Sequence, residues 1–278
     1  MSPFMKSSFP LRRMGAVLLL LLATACSQAP PTQTRGTARI DRVDREFEIA
    51  DGITRIAIDN PWGEINVRGR DEREVGIHAV IQHLPPAFAD VKFESHRDGD
   101  TLRIEVVVAG GAKPDATPRA ARADLAVYVP NDLALALSTT DARISAKRRG
   151  NAIEATTTSG EIQASSYGAL TLKTESGQIR AIAIGKRWPG TSEVSSDSGR
   201  IVLLVPTFGD VALQAETGGR LSTNFGLSIH ALPDGRHEAH ARYGAGSSPL
   251  HVRSRSGEIA LEQLVLLGDD TGLPEDDD

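Results

Sequence analysis

The sequence predicts an all-β fold, a β-solenoid resembling a parallel β-helix: a stack of short strands with Ser-Gly corners, and antiparallel hairpins in the N-terminal part and near the C-terminus. Three observations predict it. The first is a phrase that returns: a small residue, a glycine, a polar residue, then an aliphatic one. It reads Ser159-Gly160-Glu161-Ile162, Ser176-Gly177-Gln178-Ile179, Ser198-Gly199-Arg200-Ile201 and, loosened, Gly218-Gly219-Arg220-Leu221, with a late copy at Ser256-Gly257-Glu258-Ile259. The glycines lie 17, 22 and 20 residues apart and then 38, and self-similarity at such a period marks a stacked architecture. The second observation is alternation. Glu161 and Gln163 are polar while Ile162 and Ala164 are apolar, the two-residue period of a half-buried strand. The third is another glycine signal between the phrases, with Gly150 before Ile153, Gly168 before Leu170 and Leu172, and Gly209 before Val211 and Leu213. Each period therefore holds two strands and two corners.

Stacked at the spacing of neighbouring strands, about 4.8 Å, these periods place Ile162, Ile179, Ile201 and Leu221 in one interior column and turn Glu161, Gln178 and Arg200 to water. Glycine suits a corner because it takes positive φ or a bulge without a Cβ clash. The serine before it can hydrogen-bond the turning backbone. Asp141-Ala142-Arg143-Ile144 reads as a degenerate copy and Trp62-Gly63-Glu64-Ile65 as an outlying one.

Taken in order, residues 1–25 read as a targeting segment. Lys6, Arg12 and Arg13 give a basic front, and the apolar run from Ala16 to Ala25 is ten residues long. A membrane span needs about 20 residues, so the run fits a cleaved signal peptide instead. Cys26 follows and is the single cysteine of the chain. Leu22-Ala23-Thr24-Ala25-Cys26 resembles the lipobox of bacterial lipoproteins, with Ala23 where leucine is usual; the resemblance implies lipid attachment at Cys26 and a membrane partner through that lipid. A lone cysteine cannot form an internal disulfide, so the fold is expected to stabilise itself. Residues 26–36, with two prolines, read as a tether.

Residues 37–267 read as one all-β domain. From Glu46 strand follows strand: Ile53 to Ile58, Ile65 to Val67 after the Asn60-Pro61-Trp62-Gly63 turn, and Val75 to Ile81. A hairpin is expected from Val91 to Val108 about Asp98-Gly99-Asp100. Ala123 to Val129 and Leu133 to Leu137 lead into the repeats. Beyond Leu221, Leu227 to Leu232 and His237 to Tyr243 flank Pro233-Asp234-Gly235, a strong turn signal. The stretches Leu250 to Val252 and Ile259 to Leu261 are expected to close the stack, which otherwise ends in unpaired backbone. Residues 268–278 read as an acidic disordered tail.

Charge narrows the function classes. Removal of Lys6, Arg12 and Arg13 takes the net charge from −5 to −8, and the six acids of the tail leave the body at −2. That is no basic footprint, so nucleic acid is not an expected partner.

Asn60-Pro61-Trp62-Gly63-Glu64-Ile65-Asn66-Val67, the serial Ser-Gly phrases and the closing string from Leu250 to Ile259 together resemble the bacterial adhesin-like family of uncharacterised β-repeat domains. The resemblance covers most of the mature chain. It implies a secreted or lipid-anchored β-solenoid without established enzymatic activity, and it supplies no agreed binding residues.

No catalytic, cofactor-binding or metal-ligating set emerges from the sequence. His237-Glu238-Ala239-His240 is one residue short of the helical metalloprotease spacing, and on a strand residues three apart point to opposite faces. Gly244-Ala245-Gly246-Ser247-Ser248 is no nucleophile elbow, and Gly218-Gly219 lacks the lysine of a phosphate loop. The enzymatic alternative is a polysaccharide-active β-helix, which needs paired carboxylates. Glu161, Glu175, Glu193 and Glu258 are the outward candidates, but Gln178, Arg200 and Arg220 interrupt them. Aromatic residues, the usual sugar platforms, make up 4% of the chain. The expectation is a non-catalytic binding or scaffold module in the bacterial cell envelope, on the periplasmic face or the cell surface, with a protein or glycan partner and no cofactor.

Overall fold

A computed structural model describes residues 37–265. The signal segment, Cys26 and the whole tether, residues 266–267 of the expected domain and the acidic tail lie outside the described residues. The first strands are β1 (Arg39–Glu48), β2 (Arg55–Asp59), β3 (Ile65–Arg70), β4 (Glu74–His83), β5 (Val91–Asp98), β6 (Thr101–Val108) and β7 (Ala121–Pro130). A regular series follows: β8 (Ala134–Ser138), β9 (Ile144–Arg149), β10 (Ile153–Thr157), β11 (Ile162–Ser166), β12 (Leu170–Thr174), β13 (Ile179–Ala183), β14 (Ser192–Ser196) and β15 (Ile201–Val205). The chain closes with β16 (Val211–Thr217), β17 (Leu221–Thr223), β18 (Ile229–Ala231), β19 (His237–Arg242), β20 (Ser248–Ser254) and β21 (Ile259–Gln263).

These strands form a β-solenoid. In the regular series each rung places its even-numbered strand in one sheet and its odd-numbered strand in the other, so parallel neighbours are joined through the opposite sheet and need no helical crossover. Sheet I has ten strands in the order β1-β4-β7-β3-β9-β11-β13-β15-β21-β17. Sheet II has eleven, β18-β19-β16-β20-β14-β12-β10-β8-β2-β6-β5. Alternation sends every second side chain between the sheets. In sheet I the interior column reads Leu125, Ile65, Ile144, Ile162, Ile179, Ile201, Ile259, Leu221, all of it buried. Facing it in sheet II are stacked residues such as Ile58, Leu137, Ala155, Leu172, Val194 and Val252.

The order of that column corrects one expectation. Leu221 does not follow Ile201; Ile259 lies between them. After β15 the chain skips one place to lay down the β16–β17 rung, makes the β18–β19 hairpin, and returns to insert β20–β21 into the gap. The last phrase therefore sits inside the stack, and the end is closed by β19 lying antiparallel on β16 with β18 beyond it. The other end is built similarly. The β2–β3 rung, including Trp62-Gly63-Glu64-Ile65, is an inner rung; β6–β7 stacks outside it and is covered by the antiparallel strands β5 and β4, with β1 outermost. The hairpins about Gly99 and Gly235 form as expected, each with its glycine at positive φ. Strand β1 escapes the sequence reading, because its apolar residues Ile40, Val43 and Phe47 do not keep a period of two.

The corners correct a second expectation. Positive φ is not found at Gly160, Gly177, Gly199, Gly219 or Gly257. Glycine is needed there because the rungs touch: a Cβ on Gly177 would overlap the carbonyl of Gly160, and one on Gly199 the carbonyl of Gly177. Nor is the turn hydroxyl the serine beside the glycine. It is the residue three places before it. Thr157, Thr174, Ser196 and Ser254 accept from the amides of Gly160, Gly177, Gly199 and Gly257 at 2.8–3.0 Å, and the first three reach back to a backbone carbonyl of the preceding rung. Asn60 fills the same place in its own rung, donating to Ala123 O at 2.8 Å. Ser198 and Ser256, next to their glycines, bond to backbone carbonyls of an adjacent rung.

The opposite corner buries a cation. Arg149 is fully enclosed and donates to the carbonyls of Val129 and Pro130 and to Asn131 Oδ1 at 2.8 Å. Among the described residues its Nε finds no partner, and desolvation lowers its pKa to about 10 against a favourable pull from Asp132.

Candidate functional site

Outward positions of β10, β12 and β14 in sheet II include the long polar residues Glu154, Lys173 and Glu193. At the middle of β2 and along β8 they are smaller: Ala57 lies beside Ala136, and Ala134, two places earlier on β8, lies beside Arg55. The result is a shallow groove of about 570 Å³ running over β6, β2, β8 and β10. Ala57 is only 4% exposed although it faces outward between Ile56 and Ile58, because longer neighbours rise around it.

The groove walls are polar and mutually engaged. Arg55 pairs with Glu154 across three strands. Ser138 Oγ donates to Asp59 Oδ1 at 2.6 Å. Thr54 Oγ1 donates to Asp100 Oδ2 at 2.7 Å, and that hydrogen bond is the first cause holding the Asp100 carboxyl below its ordinary pKa. A carboxylate held ionised in this way is a hydrogen-bond acceptor, the opposite of the raised group that general-acid chemistry on a glycosidic bond calls for. Because β8 lies between β2 and β10, the Arg55–Glu154 pair passes over the alanines of β8, so polar groups cross the short alanine floor as well as line it, with Arg103 on the β6 side.

The residues singled out from the sequence are dispersed. His237 sits at the corner, its Nδ1 3.0 Å from Gly219 O, while His240 is outward and exposed, 3.3 Å from Glu238; the two occupy opposite faces of β19. Among the described residues, no group of three or more metal-ligating side chains is gathered. Glu161 stands beside Arg143 at 3.1 Å and Glu258 beside Arg200 at 3.6 Å, so these two carboxylates of the outer column of sheet I are each paired with an arginine, with neutral Gln178 between Glu161 and Arg200. Glu193 lies between Thr171 and His251 on sheet II, and Glu175 is exposed at a corner. Ser248 is a structural residue: its hydroxyl exchanges hydrogen bonds with the backbone of Trp188. Sequence reasoning missed the groove. Its only local signal is alanine at outward positions of β2 and β8, and those alanines become one surface only when the strands are aligned.

No family model matches the chain, and no curated protein matches it. Among solved structures, the fold is similar to that of a provisionally named cell adhesion protein from Clostridium sporogenes, at 12% identity and a TM-score of 0.50 over 81% of this chain and 100% of that one. Provisionally named adhesins from Bacteroides fragilis and Parabacteroides distasonis also match, at 9% and 10% identity, TM-scores of 0.41 and 0.24, and 81% of this chain against 97% of each of theirs.

Proposed function

We propose that this protein is a non-catalytic, adhesin-like binding module of the bacterial cell envelope, exported and held to a membrane by lipid on Cys26, with a protein or glycan partner seated in the groove of sheet II. The observation that carries the reading is the cluster of small residues Ala57, Ala134 and Ala136 set among paired polar side chains. A rigid sheet presents this surface at no cost in loop ordering, which favours binding by a pre-organised face. The name of the Clostridium sporogenes protein that shares the fold accords with such a role. The regular outer face of the remaining rungs serves as scaffold.

The test fills the groove. Ala136→Trp places an indole on the floor while leaving the buried alternate positions Leu135 and Leu137 untouched. Wild-type protein is expected to retain a component of envelope fragments that the variant loses, with both melting at the same temperature. Undiminished capture by the variant would remove the groove from the reading. Turnover of an envelope polysaccharide by the wild type would replace the whole reading with the enzymatic one.

A further inference from the structure

Strand β1 is one of the two edge strands of sheet I, the other being the short β17. It pairs with β4 along its full length from Arg39 to Glu48, and among the described residues nothing pairs with its other side. Such an edge presents a row of unsatisfied backbone groups, and proteins commonly guard it with charge. The charges of β1 are ordered, however. Asp41-Arg42-Val43-Asp44-Arg45 reads with opposite sign in the two directions from Val43.

A second copy could pair with this edge by a two-fold axis perpendicular to the sheet, which makes the strands antiparallel and keeps outer face against outer face. Residues directly opposite must then share the same face. Centred on Val43, that register sets Arg42 against Asp44 and Asp41 against Arg45, each pair occurring twice, with Val43 meeting its own copy. Arg39 faces Phe47 and Ile40 faces Glu46. No like charges oppose each other. Moving the register by two places in either direction brings Arg42 against Arg42 or Asp44 against Asp44.

The cations are also free to take these partners. Among the described residues Arg42 makes no hydrogen bond or ion pair, and Arg45 reaches only the backbone carbonyl of Asp44. The two aspartates have contacts on the β4 side alone, Asp44 with His78 and Asp41 with His83, apart from the neighbouring Arg39. Asp41, Val43 and Phe47 are partly covered while Arg42, Asp44 and Arg45 are exposed; alternation along the strand puts Asp41 and Arg45 on one face and Arg42 and Asp44 on the other, so each pair lies on a single face.

We propose that β1 is a self-association edge through which two copies of this chain join their first sheets, antiparallel and centred on Val43. The inference does not depend on the groove or on its ligand.

Sedimentation of the full chain in density-matched detergent tests it. The wild type is expected as a dimer. Arg42→Asp places an acid opposite the Asp44 of the other copy, and Asp44→Arg places a cation opposite its Arg42, so each variant alone should associate roughly tenfold more weakly or worse. An equimolar mixture of the two variants restores opposite charges at every place and should return the dimer. Val43→Cys should cross-link across the axis on oxidation, seen on a non-reducing gel. A monomeric wild type, a dimer indifferent to both charge changes, a mixture that stays monomeric, or absence of the Val43→Cys cross-link would each overturn the proposal.

Discussion

Gly177 has no room for a Cβ atom, because the carbonyl of Gly160 in the neighbouring rung occupies that space. Gly177→Val is therefore expected to destabilise strongly by forcing two backbones apart. On the strand that follows, parity should decide the outcome. Ile179 is fully buried, and its truncation to alanine should cost about 2–5 kcal/mol; Gln178 is exposed, and Gln178→Ala should stay within about 0.5 kcal/mol. Denaturant midpoints of the three variants check this, and equal losses at Ile179 and Gln178 would mean that the column is misplaced. In the groove, Thr54→Val removes the hydrogen bond that most strongly lowers the Asp100 pKa. The Asp100 titration, followed by NMR, should move up toward the ordinary carboxylate range. The sign follows from linkage: a depressed folded pKa means that this contact is present at neutral pH and lost as pH falls through the folded value.

At the scale of elements, each rung is held by a column of aliphatic side chains and a corner column of hydroxyls, and it can stack on any neighbour that carries the same set. This interchangeability permits the late insertion of β20–β21. Val211 and Ser248 begin adjacent parallel strands, and Ser248 N donates to Asp210 O at 2.9 Å, so the chain can be joined from Asp210 to Ser248 with residues 211–247 removed. The shortened protein should keep a β-type circular dichroism spectrum, because the register of β20 and β21 on β14 and β15 is untouched. It should also assemble beyond the dimer of the parent as concentration rises, because its outermost rung now ends in open edges. A shortened protein that grows no larger than the dimer of the parent would show that β16 to β19 are not needed as a cap.

At the scale of the whole molecule, the two ends of the stack differ. One ends in the short strands β17 and β18, and the other in the long strands β1 and β5. The tether that we propose to begin at lipidated Cys26 enters the fold at β1, the outermost strand of that second end. Cys26→Ser is expected to leave the precursor uncleaved at that site and without lipid label, measured by metabolic incorporation of a labelled fatty acid. A membrane-bound, processed and unlipidated product from that variant would refute the anchor.

The sequence by itself determined the repeating unit. Ser-Gly-polar-Ile phrases fix which side chains go inward, because alternation is a local property of each strand, and the isoleucines of the phrases do form one buried column. The same local signals showed the hairpins about Gly99 and Gly235, where positive φ marks the turn. The sequence could not say why glycine stands at the rung corners, since the colliding carbonyl belongs to another rung. It could not order the rungs either. Copies that carry the same isoleucine, glycine and hydroxyl fit one another almost equally well, so only the length and direction of the connecting chain place Ile259 between Ile201 and Leu221. The groove is likewise a product of tertiary structure: Ala57 and Ala136 are nearly eighty residues apart in the chain, and they become one floor because parallel pairing sets β2 beside β8.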